Sequence, residues 1–190
     1  MAETGASYGA ELLKAYEGFL PNASYDVNAW RIGHGSDTIT DNNGQFRKVV
    51  QGDTTTRTNA LKDLTRRVEE FEKKVAKKVG VEYWQPLDYK VKGALISLAY
   101  NYGNITKQLI IDAIKTGNSK KIADVVISST LNDNKKLSTN IQNALKVRRK
   151  KEADIIRTRP NASTNKKLKK IIPVLLIAGS VFLIIWSIKK

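Results

Sequence analysis

From about residue 56 onward, apolar side chains return every three or four positions, whereas residues 20–55 show no such period. This switch constrains the fold more than any other feature, because a period near 3.6 buries one stripe of a helix and a period of two buries one face of a strand. Leu61, Leu64, Val68, Phe71 and Val75 form the first long helical stripe, and the preceding "DTTT" supplies an N-cap. Pro86 and Asp88 introduce the next helix, on which Val91, Leu95, Leu98 and Tyr102 share a face and Gly103 is the stop signal. Shorter helices are expected near 106–115 and 119–128. A last helix, over about 138–157, carries Ile141, Leu145, Ile155 and the pair Arg148–Arg149.

Ahead of the switch, Leu12 or Leu13, Tyr16 and Phe19 give a short first helix with Glu17 near its C-terminal end. The aperiodic stretch is rich in Asn, Asp, Gly and Thr. It has β-like pieces around Trp30–Ile32 and Phe46–Val50, with the turn signal "DNNG" (41–44) between them, which predicts a small hairpin sheet. The fold class is therefore α+β: one helix, a small sheet, then a helical lobe. A groove between two such unequal parts is a common place to hold a polymer.

The chain has no cysteine and a single histidine, His34. Disulfides, thiolate zinc sites and multi-histidine metal centres are thereby excluded, and no cofactor is called for. The 33 basic and 18 acidic residues give a formal charge of +15, of which the seven basic residues from 158 onward, with no acid among them, supply +7. Such a balance suits a polyanion: nucleic acid, anionic lipid or an acidic cell-wall polymer. Nucleic acid fits least, since the domain shows no dense basic run interleaved with aromatics.

The segment "IIPVLLIAGSVFLIIWSI" (171–188) carries no charge and is bracketed by lysines. At 1.5 Å per residue it would span roughly 27 Å, close to the thickness of a bilayer's hydrocarbon core. It is expected to be a transmembrane helix, with Trp186 at the interface, reached through a basic linker over 158–170 from a domain over 1–157. The start "MAETGASYGAELLKAYEGF" lacks the basic and apolar regions of a signal peptide. The flanking lysines favour, weakly, a domain on the cytoplasmic side.

Cleaving a glycosidic bond needs one acid to protonate the departing oxygen, and usually a second carboxylate to stabilise the sugar cation or activate water. Glu17, at a helix end, and Asp26, in the loop that follows, are such a pair in principle. Tyr16, Phe19 and Leu20 could wall off the first of them. Two acids nine residues apart are weak evidence alone. Trp30 could stack on a sugar or pack in the core; Arg31 could clamp a substrate carboxyl or pair with Asp26 or Asp37. His34 between two glycines reads as a loop-holding group or a ligand contact, and Ser36 and Asn101 are further polar candidates for substrate binding. The pair Arg148–Arg149 reads as a solvated or salt-bridging face.

Four segments in register sharpen this. "EGF…YDVNAWRIGHGSDT", "TTTRTNALKDLTRRVEEFEKKV", "ALISLAYNYG" and "LKVRRKKEADII" resemble, in order, the start, the threonine-capped helix, the Asn-Gly helix and the closing Arg-Arg helix of phage-type lysozymes. The resemblance covers about residues 8–157. It implies a lysozyme-like fold and a muramidase that cuts the β-1,4 bond between N-acetylmuramic acid and N-acetylglucosamine in peptidoglycan, with Glu17 as general acid and Asp26 as the second carboxylate. The family's water-orienting threonine has no clean match: Arg31 falls near its place, and His34, Ser36 and Thr38 are the other candidates. A lytic transglycosylase, or a catalytically inactive lysozyme fold serving a virion structurally, are the alternatives this departure leaves. With the apolar tail, the expectation is a single-pass protein of the viral membrane of a membrane-containing bacteriophage, partnered by other virion proteins, or a tail-anchored endolysin of the host inner membrane.

Overall fold

The computed structural model describes residues 3–26, 28–105, 107–129 and 139–162. The apolar run 171–188 lies outside them. Among the described residues no helix is long and apolar enough to cross a membrane.

The chain runs α1 (Gly5–Glu17), β1 (Leu20–Asp26), β2 (Ala29–Gly33), β3 (Thr38–Thr40), β4 (Phe46–Lys48), α2 (Arg57–Val79), α3 (Val81–Trp84), α4 (Tyr89–Tyr102), α5 (Gln108–Lys115), α6 (Ser119–Ser129) and α7 (Thr139–Arg157). The α+β reading holds, and so do the caps. Thr56 accepts from the Asn59 amide at 3.2 Å, Asp88 accepts from the Lys90 amide at 2.8 Å, and Gly103 ends α4 at φ 80°. Each satisfies an orphan backbone group or supplies a left-handed stop at a helix end.

Helix α4 is the axis of the helical lobe. Eight consecutive residues from Gly93 to Tyr100 are buried, so it is wrapped on all sides, as expected for a helix apolar all round. Leu13, Leu64, Val68, Val75, Trp84, Ile114, Ile122, Val126 and Ile156 close around it. Each such side chain, removed from water, contributes roughly 1.5–3 kcal/mol. Helix α1 crosses α4 at Gly9 and Gly93. A Cβ on Gly93 would come within 2.7 Å of the Tyr8 ring and 2.9 Å of the Gly9 backbone nitrogen. Only glycine permits that approach, and it sets the line of α1 and hence the place of Glu17 at its end.

The sheet differs from expectation. The strand around Trp30–Ile32 pairs antiparallel with β1, through Ser24↔Arg31, Tyr25↔Trp30 and Asp26↔Ala29. Across the "DNNG" turn the partner of β4 is β3, with Ile39 opposite Arg47. Among the described residues there are thus two hairpins, and β1 gives no signal in the sequence because it is exposed at nearly every position and carries no alternating pattern. Two apolar positions were also misplaced. Leu61 is 42% and Ile141 50% exposed, while the buried positions of α7 are Arg149, Glu152, Ala153 and Ile156.

The start of the expected linker is tied down. The Ala162 amide donates to the Gly117 carbonyl at 2.8 Å, and Ser119 bonds Asn161 Oδ1 and the Pro160 carbonyl, both at 2.9 Å. The rest of the linker lies outside the described residues.

Candidate active site

Glu17 is the last residue of α1, and its side chain is 23% exposed. The apolar wall expected around it is incomplete, since Leu20 is 37% exposed. The group that holds Glu17 is Arg148, whose Nη1 lies 2.6 Å from Glu17 Oε1. Arg148 spreads from this contact to Glu152 Oε1, the Ser97 carbonyl and Ser97 Oγ, each at 3.3 Å, and lies over the Tyr16 ring at 5.0 Å. Its neighbour Arg149 is 1% exposed and pairs through Nε with Glu152 Oε2 at 2.9 Å. Burial pushes the Glu152 carboxyl up against the pull of Arg149 and the Ser97 hydrogen bond, and pushes the Arg149 guanidinium down. Of the two readings of this pair, a solvated or a salt-bridging face, the salt-bridging one holds, and the pair supports Glu17. The signal was the glutamate three residues after Arg149, one helical turn on, which puts both signs on one face.

The other side of Glu17 is backbone. Gly35, at φ +72°, faces it so closely that a Cβ there would lie 3.2 Å from Glu17 Oε2. His34 fixes this loop: it is 8% exposed, its Nδ1 hydrogen-bonds the Gly18 carbonyl, and its own carbonyl accepts from Tyr100 Oη at 3.0 Å. The imidazole therefore ties the β2–β3 loop to the residue after Glu17, and α4 ties the same loop from below.

Ser36 and Thr38 are also inside the domain. Asp63, 3% exposed on α2, accepts from Ser36 Oγ at 2.5 Å, Thr38 Oγ1 at 3.0 Å, Thr40 Oγ1 at 2.8 Å and Arg66 Nη2 at 2.8 Å. A buried carboxylate is stable only when its oxygens are satisfied in this way. Both hydroxyls therefore help hold the sheet to α2.

Asp26 ends β1, at the tip of the first hairpin and not in a loop, with its side chain 63% exposed. A register shift between Leu20 and Ser24 marks an irregularity that bends such a hairpin. Arg31 lies on the same face, with Nε 3.9 Å from Asp26 Oδ2, Nη2 3.4 Å from Asn28 Oδ1 and Nη1 4.0 Å from Asp37 Oδ1. Asp37 is itself clamped by Arg67 and by Lys48 at 2.5 Å. Burial alone would raise its carboxyl, but the Lys48 hydrogen bond and the Arg67 charge outweigh that and bring it down to about 2. Trp30 is half-buried and meets Tyr25 edge-on at 5.5 Å, outside the core. Asn101 is exposed near the end of α4, with Oδ1 3.5 Å from Arg149 Nη2.

Glycoside cleavage uses a pair of carboxyl groups, and the chain offers one held by a guanidinium at a helix end and a second, solvated one on a hairpin. The phage lysozyme family profile matches residues 14–152. Among solved structures, the endolysin from Escherichia coli O157:H7 phage FAHEc1 aligns with a TM-score of 0.63 at 27% identity, over 83% of this chain and 94% of that one. The muramidase domain of SpmX from Asticcacaulis excentricus aligns at 0.59 and 21% identity, over 80% of this chain and 95% of that one. A variant of the P22 lysozyme aligns at 0.60 and 22% identity, over 82% and 99%. These last two likenesses speak to the fold. No curated protein matches significantly. The chain belongs to the phage lysozyme family. It is a glycoside hydrolase, and its substrate class is peptidoglycan.

Proposed function

We propose that the protein is a muramidase that cleaves the β-1,4 bond between N-acetylmuramic acid and N-acetylglucosamine. Glu17 donates its proton to the glycosidic oxygen as the C1–O bond breaks. Asp26 stabilises the developing oxocarbenium ion or positions the water that adds to C1, and Glu17 recovers its proton from that water. The observation that carries this reading is the Glu17–Arg148 pair: a carboxyl group held at 2.6 Å by an arginine from the far end of the chain, inside the segment that matches the family. Trp30, beside Tyr25, offers an aromatic face to a sugar, and Asn101 an amide to an N-acetyl group.

Arg31 favours a second reading on the same bond. It stands near the family's threonine position, and the nearby hydroxyls of Ser36 and Thr38 are engaged by Asp63. With those two hydroxyls so engaged, the sugar's own 6-hydroxyl can close on C1, which makes the enzyme a lytic transglycosylase. Mass analysis of the released fragments separates the two: reducing ends mean hydrolysis, 1,6-anhydro ends mean transglycosylation.

For the cellular setting, we read 171–188 as an anchor in the membrane of a membrane-containing phage particle, with the domain opening peptidoglycan locally as the genome is delivered. A tail-anchored endolysin in the host inner membrane is the competing setting. Immunodetection in purified particles decides: presence supports the virion enzyme, and absence from particles with accumulation in the host membrane overturns it.

A further inference from the structure

The helices give the domain two poles. Gly9 of α1 packs on Gly93 and Ile96 of α4, and Gly5 on Lys92, so the two helices run side by side in the same sense. Both deliver their C-terminal ends to the pole that holds Glu17. Helix α7 runs the other way along α4, since Arg149 meets Asn101 and Glu152 meets Ser97. Its C-terminal end therefore arrives at the N-terminal end of α4, where Arg159 lies within electrostatic reach of Tyr89. The 14 residues of α4 separate the poles by roughly 20 Å.

The chain leaves the domain at this second pole. Residues 160–162 are bonded to Gly117 and Ser119, in the turn between α5 and α6, so the point from which the tail departs is fixed. Lys115, Lys120 and Lys121 flank that point and are exposed, and none of them pairs with a carboxylate among the described residues. Three acids of α5, α6 and α7 are engaged: Asp124 and Asp154 by Arg157 at 2.8 and 3.3 Å, and Asp112 by Gln108 at 2.8 Å. Next in the sequence come Lys166, Lys167, Lys169 and Lys170, directly before the apolar run.

We propose that the α5–α6 pole is a docking surface for anionic phospholipid headgroups, made by Lys115, Lys120 and Lys121, and that it turns the Glu17 pole away from the bilayer. This rests on reading 171–188 as an anchor. A tether that leaves the domain here brings this pole to the lipid first, and cationic side chains within a Debye length of an anionic leaflet are drawn to it. The Glu17 pole is then presented outward, toward the glycan, at a height the fold sets.

The absence of native cysteine makes the test direct. The full chain is reconstituted with a fluorophore on a single introduced cysteine, either Lys120→Cys at the tail pole or Asn43→Cys on the β3–β4 turn. The vesicles contain phosphatidylglycerol, phosphatidylcholine and a headgroup-nitroxide lipid. The expected result is quenching at position 120 several-fold stronger than at 43, falling toward the level at 43 in vesicles of phosphatidylcholine alone or in a Lys115→Glu, Lys121→Glu background. Equal quenching at both positions, or quenching at 120 indifferent to lipid charge, overturns the docking surface while leaving the anchor intact. Failure of the chain to float with any vesicles overturns the anchor itself, and this inference with it.

Discussion

Arg148 Nη1 sits 2.6 Å from Glu17 Oε1 across 131 residues of sequence. The two ends of the family-matched segment are thus joined at the carboxyl group proposed as the general acid. Arg148 orients that group without needing to touch substrate. Arg148→Ala should lower kcat on peptidoglycan about 10- to 100-fold with a smaller change in KM, since a misaligned acid loses rate more than binding. Arg148→Lys should recover only part, because an ammonium cannot reach Glu17, Glu152 and Ser97 in one plane. Steady-state kinetics on soluble glycan fragments checks the split.

Gly35 offers a cleaner perturbation. Its φ of +72° and its approach to Glu17 both argue against a side chain. Gly35→Ala should cost about 1 kcal/mol in stability from the left-handed backbone. It should cost disproportionately more in activity, because the new methyl presses on Glu17 Oε2. Denaturant midpoints and turnover measured on one preparation will show whether activity falls further than stability.

The carboxylate of Asp63 holds three hydroxyls and a guanidinium with almost no exposure. Asp63→Ala strands all of them, and the expected loss is about 3–5 kcal/mol. Urea unfolding should show it, with Asp63→Asn intermediate.

Asp37 predicts an acid limb in stability. Its folded-state carboxyl lies at about 2, below the usual 3.8, so ionised Asp37 favours the folded state. That contribution is complete above about pH 4 and is lost as pH falls toward 2. Screening at this partly exposed site brings it to about 1–2 kcal/mol. Asp37→Asn should remove this part of the slope between pH 4 and 2 in denaturation curves, and leave the dependence above pH 5 unchanged.

What the sequence revealed follows from where the side chains sit. The stripe of α2 and the apolar run of α4 are readable because burial imposes a period, and Asp88 and Gly103 because caps and stops demand particular residues. β1 is invisible in the sequence, since a strand exposed at nearly every position needs no pattern. Glu17 and Asp26 are candidates by motif, whereas the pair Arg148–Arg149 reads from sequence as a solvated or salt-bridging face, of which the structure shows the second. A buried arginine looks like a solvated one until its partners, Glu152 one turn away and Glu17 at the far end of the chain, are placed beside it. The bonds of Ser36 and Thr38 are hidden for the converse reason: nothing in a polar loop announces that a buried aspartate 25 residues on will accept from its hydroxyls.

The most direct test of the central claim is release of soluble fragments from purified peptidoglycan by the full chain and by Glu17→Gln, matched for circular dichroism and thermal unfolding. Clearing by the wild type is expected, with loss of at least about three orders of magnitude in rate when the acid is removed. A Glu17→Gln protein that digests peptidoglycan at a rate close to wild type would contradict it, and would move the chemistry to another carboxylate.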